Sequence, residues 1–524
     1  MDKVEACGAF DPSSTLGGRT KIRRMGGTAT RWFRKPMSFW TNKFDSCILR
    51  LFTIFSFLLF SLKGFFTLDP DFGWHLKMGQ LITSSGIPAT DPFSYTMANF
   101  PFVDHEWLSN IYIYFLYNHI GQLGLALIFG VMATASLVIC LPKKSQPIIK
   151  YFLLILAIAS VIPFAGIRPQ VQTWLFLAIL IKVIFDQEWW RKLRFFLPPF
   201  FLLWANLHGG FAVGLATLTV IMVVKSIGLR KVNITDLLIV VSSWLVTLIN
   251  PYGLRLWGEI ISTQTDTNLR WRIAEWMPSI FSFNFPFIFL ACLSGTLIFR
   301  YRKKYLPEEL IVYLAFLIEA VLSVRNIPLW TIIALPLTFK AFSQLTDEVS
   351  KVQKGTERLQ KSLLYAMPIA ILILISQIYF DLRSSPNQNN FYPSQAVSYL
   401  KNNLPPGNIF SDYNWGGYLI WKLPEKKTFI DGRMPSWRYP NCPPNESCNA
   451  MQDYLDISNG KKDYHQFFDK YQINTVLAAI PQKPTLFDRI AMYFQKSNFN
   501  LTTKLLQDGW KKVYKDNVSV ILQR

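Results

Sequence analysis

The chain has 524 residues, 51% of them hydrophobic and only 17% charged, and its formal net charge is +21. Repeated apolar runs of membrane-spanning length exclude a soluble globular protein and indicate a polytopic α-helical membrane protein. The basic residues stand in short clusters between these runs, a distribution that is typical of cytoplasmic loops. The positive charge therefore does not indicate a nucleic-acid partner.

The N-terminal segment, residues 1–46, is rich in arginine and lysine and is predicted to be a cytoplasmic tail. It is not a cleaved signal peptide, because the apolar run that follows is too long and lacks a small-residue cleavage site. That run, residues 48–68, is long enough for a hydrocarbon core of about 30 Å. Near its outer end, Lys63 is expected to extend its ammonium group to the membrane interface.

Two carboxylates and an imidazole follow this first span at once, as Asp69, Asp71 and His75. Charged groups at a membrane boundary cost free energy, so such a cluster is a functional hypothesis by default. In an extended conformation the two aspartates point to the same side, where they could share a divalent cation or a sugar hydroxyl. A solvated helix end that happens to carry acidic residues fits the same stretch equally well.

The basic clusters determine the predicted topology. With the N-terminus inside, every predicted cytoplasmic loop carries lysine and arginine, and about eleven spans result. Residues 47–381 are predicted to form the transmembrane domain, with a large first outer loop at 69–106. Residues 106–119 are amphipathic and are expected either to lie at the interface or to dip into it. The predicted spans are 48–68, 123–141, 151–167, 171–185, 195–206, 211–224, 237–249, 280–299, 310–324, 328–342 and 363–380.

This topology collects the unusual polar side chains on the extracytoplasmic face, as a binding cleft at the membrane boundary would require. The substrate-binding candidates among them are His75, Glu106, Arg168, Asn206, His208 and Arg325. Taken singly, Arg168 and Arg325 could also bind lipid headgroups, and His208 could cap a turn. Glu319 lies within a predicted span and is expected to face the bundle interior, near an arginine.

The long apolar runs stop at about residue 382, and residues 382–524 are predicted to form a separate α/β domain outside the cytoplasm. Helices are predicted at 393–403, 463–471 and 486–496, and strands at 408–411, 428–431, 475–480 and 518–522. Cys442 and Cys448 lie close together in a proline-rich loop. An extracytoplasmic location permits a disulfide between them, although two free thiols fit the spacing as well.

Several motifs along the chain resemble those of bacterial integral-membrane glycosyltransferases of the GT-C type. The motifs are Trp74-His75-Leu76, Asp91-Pro92-Phe93-Ser94, Glu106-Trp107-Leu108, Trp204-Ala205-Asn206-Leu207-His208-Gly209-Gly210, Asn250-Pro251-Tyr252-Gly253, Glu275-Trp276, Asn414-Trp415-Gly416-Gly417-Tyr418-Leu419 and Ile430-Asp431-Gly432-Arg433. The resemblance covers nearly the whole chain after residue 45 and includes the glycosyltransferase 39 and RgtA/B/C/D-like groups. The later motifs look like those of one uncharacterised branch.

The resemblance implies a GT-C-like fold in a bacterial plasma membrane, with the N-terminus cytoplasmic and the C-terminal domain extracytoplasmic. It implies an inverting transferase that takes a sugar from a polyprenyl-phosphate donor and passes it to a glycan, lipid or protein acceptor. Asp69 or Asp71 would then act as the base or as the partner of a metal ion, Mg²⁺ or Mn²⁺. Arg168 and Arg325 would bind the lipid phosphate through their guanidinium groups.

The last two motifs contain polar and aromatic groups together, so they could bind an acceptor sugar or dock the C-terminal domain onto the membrane cleft. Two other classes of function also fit the chain, namely a transporter or flippase for a lipid-linked sugar and a non-catalytic GT-C scaffold. A transporter would favour inverted repeats and charged sites near the bilayer midplane, and the sequence shows no obvious repeat. It also shows no nucleotide-sugar site, no phosphate-binding glycine loop and no nucleophilic triad.

Overall fold

The computed structural model of the chain describes residues 37–142, 145–266, 269–282, 284–384, 386–387, 390–480 and 499–524. Five helices in these ranges are long and apolar enough to cross a membrane, and shorter apolar helices accompany them. The five are Cys47–Phe66, Trp107–Ile139, Pro147–Phe164, Phe211–Leu229 and Gly355–Arg383. The chain is therefore a helical membrane protein, and the count of about eleven spans stays a prediction.

Residues 52–524 form one compact unit, and every contact described below lies within it. The helices before the C-terminal segment are α1 (Met37–Phe66), α2 (Phe72–Ser85), α3 (Trp107–Ile139), α4 (Pro147–Val161), α5 (Gln170–Phe185), α6 (Gln187–Leu193), α7 (Leu197–Leu207), α8 (Phe211–Leu229), α9 (Ile234–Val246), α10 (Leu254–Thr265), α11 (Leu269–Arg272), α12 (Phe285–Arg300), α13 (Pro307–Leu322), α14 (Ile327–Val349) and α15 (Gly355–Ser384). Helix α5, for example, begins one residue before the predicted span 171–185, because apolar runs locate helices well.

The first outer loop is more ordered than the sequence predicted. It contains α2, and residues 107–120 form the first part of α3, which the non-helical Gly121 (φ 64°, ψ −171°) separates from the second part. The location of residues 106–119 at the membrane interface stays a prediction. Asp71 is not extended, since its φ of −87° and ψ of −13° are helical. Its backbone N–H donates to Asp69 Oδ1 at 2.9 Å, so the two aspartates are joined by a tight turn at the start of α2.

Two charged residues of the predicted spans lie elsewhere than expected. The Lys63 side chain is not extended towards solvent; it is 5% exposed, and its Nζ lies 2.6 Å from Asp381 Oδ2 on α15. Glu319 does not face the bundle interior. Val312, Phe316 and Ala320 of α13 are buried, whereas Glu319 is exposed.

The C-terminal segment contains a four-stranded sheet of order β1-β2-β4-β3. Its elements are α16 (Ser394–Asn402), β1 (Asn408–Ser411), α17 (Gly416–Lys422), α18 (Ala450–Ser458), α19 (Tyr464–Lys470), β2 (Ile473–Ala479), α20 (Leu501–Gln507), β3 (Lys511–Lys515) and β4 (Ser519–Gln523). Strands β1 and β2 are parallel, and β4 pairs antiparallel with β2 and with β3. The sheet confirms the α/β character predicted for this segment.

Individual predictions in this segment had mixed outcomes. The helices at 393–403 and 463–471 and the strands at 408–411, 475–480 and 518–522 are confirmed. The predicted strand at 428–431 is wrong, because only Thr428 pairs, in an isolated bridge with Ser94 of the first outer loop. The helix predicted at 486–496 lies outside the described residues. Cys442 and Cys448 form a disulfide.

The first outer loop and the C-terminal segment share one hydrophobic core. Trp74, Met97 and Phe102 from the loop pack in the same buried cluster as Phe429 and Trp437 from the C-terminal segment. Both segments must therefore lie on the same side of the membrane. The burial of several large aromatic side chains, each contributing about 1.5–3 kcal/mol, stabilises this association.

Backbone contact fixes where the two segments meet. Gly73 at the start of α2 lies so close to Gly417 of α17 that a Cβ atom on Gly73 would overlap the Gly417 carbonyl oxygen. Glycine at position 73 therefore permits α2 and α17 to pack backbone to backbone. Next to this contact, the Tyr392 hydroxyl donates a hydrogen bond to the Leu68 carbonyl at 2.8 Å. The chain after α1 is thus held between α2 and the C-terminal segment.

Candidate functional site

A cavity of about 730 Å³ lies where α1 ends, between the membrane helices and the C-terminal segment. Most of the site residues predicted from the sequence line it. They are Asp69, Asp71, His75, Glu106, Arg168, His208 and Arg325. The structure thus brings together side chains from the first outer loop and from three later turns. Acidic, basic and imidazole groups in one concave site are what a binding or catalytic centre needs.

One wall of the cavity is an ion cluster centred on Arg168, which lies in the turn before α5. Its Nε lies 2.7 Å from Asp69 Oδ2, and its second terminal nitrogen bonds to Glu275 Oε1. The side chains of Arg168 and Asp69 are 14% and 10% exposed, so the pair is largely removed from water. Burial disfavours the guanidinium charge, but the charges of Asp69 and Glu275 outweigh it and raise the pKa of Arg168.

Asp71 lies beside this cluster, and its carboxyl group has a raised pKa. Burial, followed by the negative charges of Asp69 and Glu275, raises the pKa of Asp71 to about 8. Its carboxylate lies against the backbone of Gly432, where a Cβ atom would overlap Asp71 Oδ1. Asp71 is therefore mostly protonated at neutral pH, and once ionised it is a stronger base than an ordinary carboxylate.

Arg325 stands at the other side of Glu275, in the short turn before α14. Its guanidinium carbon lies 5.0 Å from the centre of the Trp276 ring, a cation–π contact. Against the effect of burial, the charges of Arg168 and Arg325 hold the pKa of Glu275 below its usual range. The Glu275-Trp276 motif thus orients both predicted phosphate-binding arginines, one through each of its side chains.

A second cluster surrounds Glu106, which immediately precedes α3. His208 Nε2 lies 3.2 Å from Glu106 Oε1, His105 Nε2 lies 3.6 Å from the same oxygen, and His75 Nδ1 lies 3.6 Å from Oε2. Burial opposes ionisation, but the three imidazoles outweigh it and lower the pKa of Glu106. Burial lowers the pKa of His105 to about 4. Glu106 is therefore ionised at neutral pH and His105 is neutral.

Hydrogen bonds on the far side of two imidazoles set their orientation. The Gly210 N–H donates to His208 Nδ1 at 3.0 Å, so in the neutral ring the proton is on Nε2, towards Glu106. Asn110 donates from Nδ2 to Asp104 at 2.7 Å, which leaves its oxygen to accept from His75 Nδ1 at 2.6 Å. Both rings are therefore held in one position and one tautomer.

Asn206 does not line the cavity. Its Nδ2 donates to the carbonyls of Leu202 and Ile249, at 2.8 and 3.0 Å, and its Oδ1 accepts from Trp107 Nε1 at 3.0 Å. These bonds tie α7 to α3 and to the end of α9. The side chain thereby supports the turn that carries His208 and leaves the amide engaged within the protein.

The Asp431-Gly432-Arg433 motif docks the C-terminal segment. Arg433 makes a bidentate ion pair with Asp431, from Nε to Oδ1 at 2.8 Å and from Nη2 to Oδ2 at 2.7 Å. Its remaining terminal nitrogen, Nη1, lies 2.8 Å from Asp91 Oδ1. Its guanidinium also lies among the rings of Phe93, Phe102 and Trp437. Asp91 and Phe93 belong to the first outer loop. Of the two roles predicted for this motif, docking is therefore the one that Arg433 performs.

The carboxylates of Asp69 and Asp71 meet only part of what a metal site requires. In the portion of the chain that the structure describes, no three His, Cys, Asp or Glu side chains are arranged to hold a metal. Asp69 and Asp71 supply two carboxylates, and Arg168 already contacts the first. Mg²⁺ is commonly held by one or two carboxylates when water and substrate phosphates complete its shell. Asp69 and Asp71 alone therefore supply too few ligands for Mg²⁺ or Mn²⁺, and a role for either ion stays a prediction.

No protein-family model and no curated protein matches the sequence. Solved structures match it in fold. The oligosaccharyltransferase AglB of Archaeoglobus fulgidus, in complex with an inhibitory peptide and a dolichol-phosphate, is 12% identical with a TM-score of 0.50, over 82% of this chain and 70% of that one. The Archaeoglobus fulgidus oligosaccharyltransferase in complex with Zn and sulfate is 12% identical with a TM-score of 0.52, over 90% and 72%.

These likenesses show that the chain shares its fold with this oligosaccharyltransferase, in agreement with the GT-C-like fold that the motifs predicted. At this level of identity they show the fold alone. The narrower grouping with the glycosyltransferase 39 and RgtA/B/C/D-like proteins stays a prediction.

Proposed function

We propose that the chain is a membrane glycosyltransferase of the GT-C type. It transfers a sugar from a polyprenyl-phosphate donor to a glycan, lipid or protein acceptor, on the extracytoplasmic side of a bacterial plasma membrane. The main observation behind this proposal is that Asp69, Asp71, Arg168 and Arg325 line the same cavity at the end of α1. The fold likeness to an oligosaccharyltransferase captured with dolichol-phosphate supports a lipid-linked donor.

The donor phosphate belongs near the two arginines. A lipid phosphate needs cationic partners, and guanidinium groups bind phosphate oxygens through paired N–H donors. Arg325 is held over Trp276, and Arg168 is held between Asp69 and Glu275, so both are positioned before the donor arrives. Partial exclusion of water from the cavity strengthens these charge-assisted bonds.

The acceptor hydroxyl needs a base, and Asp71 suits that role. The hydroxyl oxygen attacks the anomeric carbon and forms a bond to it. The bond from that carbon to the phosphate oxygen breaks, and its electron pair leaves with the lipid phosphate. The hydroxyl proton passes to the ionised carboxylate of Asp71, whose pKa of about 8 makes it an effective acceptor. Asp69 holds Arg168 in place through their ion pair.

The second cluster is assigned to sugar binding. Ionised Glu106 accepts hydrogen bonds from sugar hydroxyls, and His75 and His208 can exchange hydrogen bonds with them. If Mg²⁺ or Mn²⁺ takes part, Asp69 and Asp71 would hold it, and its charge would offset that of the leaving phosphate. Asn206 is not part of the proposed binding set, because its amide is used within the protein.

Replacement of Arg325 tests whether this residue binds the donor phosphate. We expect Arg325→Gln to weaken the binding of a prenyl-phosphate sugar by about 10- to 100-fold, the range for loss of a hydrogen bond to a charged group. Arg325→Lys keeps the charge but loses the paired N–H donors of the guanidinium group, so it should weaken binding less than Arg325→Gln does. The affinity is measured with folded, full-length variants in detergent.

Arg302 provides a matched control, because its guanidinium also stacks on an aromatic ring, 4.5 Å from the centre of Phe299. It lies in a predicted cytoplasmic loop, so Arg302→Gln should leave donor affinity unchanged. Equal donor affinity in Arg325→Gln and wild type would assign Arg325 to lipid headgroups and would refute the phosphate site.

A further inference from the structure

Lys63 is a buried cation at the cavity that the sequence did not identify as a site residue. It lies in the last part of α1, its side chain is 5% exposed, and it lines the cavity together with Asp69 and Arg168. An ionisable side chain inside a membrane-spanning helix is costly and is by default a mark of function. Lys63 lies six positions before Asp69 and inside α1, which ends at Phe66.

The surroundings of Lys63 place it close to the ion cluster around Arg168. The neighbouring Gly64 packs against the backbone of Gly166, in the turn that carries Arg168. The charges of Asp69 and Arg168 act on the Lys63 ammonium in addition to that of Asp381. Two cations therefore face one cavity, and each is held by a carboxylate of the protein.

Asp381 has the geometry of a counter-ion placed on the far side of Lys63. It lies in the last turn of α15, is 7% exposed, and its Oδ2 is 2.6 Å from Lys63 Nζ. Just beyond it, the Pro386 carbonyl accepts a hydrogen bond from the Leu68 N–H at 3.0 Å. The end of α15 is thus tied to the end of α1 by backbone as well as by charge.

We propose that Lys63 is a further phosphate-binding cation of this cavity and that Asp381 is the counter-ion that neutralises it when no phosphate is bound. The inference rests on the proposed function, since it names a second contact for the phosphate group of the donor. An ammonium has three N–H donors, so Lys63 can keep Asp381 and also donate to a phosphate oxygen.

A purely structural ion pair predicts a different outcome, and a paired substitution separates the two. Replacing both partners of a buried ion pair with apolar residues of similar volume is often neutral or stabilising. The Lys63→Met/Asp381→Leu double variant should therefore fold with a Tm close to that of the wild type. A structural pair would then leave phosphate binding intact, whereas a phosphate-binding lysine would not.

The probe is farnesyl phosphate, bound to full-length protein in detergent, with farnesol, inorganic phosphate and phosphatidylglycerol as competitors. We expect the double variant to bind farnesyl phosphate about 10- to 100-fold more weakly than the wild type. Asp381→Asn, which frees Lys63 from its counter-ion, should bind as tightly as the wild type or more tightly. Farnesol, inorganic phosphate and phosphatidylglycerol should compete poorly.

Three results would overturn the role of Lys63 alone. These are unchanged farnesyl phosphate affinity in the double variant, an equal loss in Asp381→Asn, and competition by phosphatidylglycerol as strong as that by farnesyl phosphate itself. A wild-type protein that binds no farnesyl phosphate at all would instead overturn both this inference and the proposed donor.

Discussion

Replacing Asp71 with asparagine is expected to lower the rate of sugar transfer by about 10²- to 10⁴-fold, the usual loss for a positioned general base. The amide keeps the size of the side chain but cannot take the acceptor proton. The rate is measured with a prenyl-phosphate sugar donor and purified variants of equal Tm. Because burial and the charges of Asp69 and Glu275 raise the pKa of Asp71 to about 8, wild-type activity should rise with pH up to about 8 and then level off.

The matched control for this substitution is Glu425→Gln, at an exposed carboxylate of the C-terminal segment, which should leave the rate unchanged. Asp69→Asn should also lower the rate, through the loss of its ion pair with Arg168. Full transfer activity in both aspartate variants would show that neither carboxylate supplies the base.

Replacing Arg433 with methionine is expected to lower the free energy of unfolding by about 3–5 kcal/mol, because it leaves Asp91 and Asp431 buried without their cation. The substitution acts where the first outer loop meets the C-terminal segment. Loss of the Arg433 ion pairs should weaken the packing of the first outer loop against the C-terminal segment. The effect is measured as the change in unfolding free energy and as faster proteolysis of the C-terminal segment.

Arg438→Met is the matched control, since Arg438 also pairs with an aspartate, Asp266, at 2.8 Å, but its side chain is 34% exposed. A pair of that exposure is worth about 0.2–1 kcal/mol, so this variant should remain close to the wild type. Equal stability of the two variants would mean that Arg433 does not dock the segments.

The sequence predicted the helices better than the irregular parts of the fold. Apolar runs gave α5 almost to the residue and the start of α8, because a membrane helix must be apolar over its whole length. The end of α8 was predicted five residues too early. Helix α2 was missed because its apolar face is covered by the C-terminal segment, which the first outer loop alone does not reveal. Strand β3 was missed because lysines occupy positions 511, 512 and 515, and charged side chains are typical of an edge strand.

The candidate site was predicted as a set of side chains on one face, and its pairings could not be predicted. The positive-inside pattern placed Asp69, Arg168 and Arg325 together, because it assigns each turn to one side of the membrane. The same pattern carries no information on which carboxylate meets which cation. The pairs Arg168–Glu275 and Lys63–Asp381 join residues more than a hundred positions apart, so only the packing of the helices reveals them.

The central claim is that this cavity binds a prenyl-phosphate sugar with its reacting carbon towards Asp71. An experimental structure of the full-length protein with such a donor tests it most directly. We expect the phosphate within hydrogen-bonding distance of Arg168 and Arg325, the anomeric carbon facing Asp71, and the prenyl chain leaving between the membrane helices. Donor density outside the cavity, or at the basic cytoplasmic ends of the spans, would contradict the proposal.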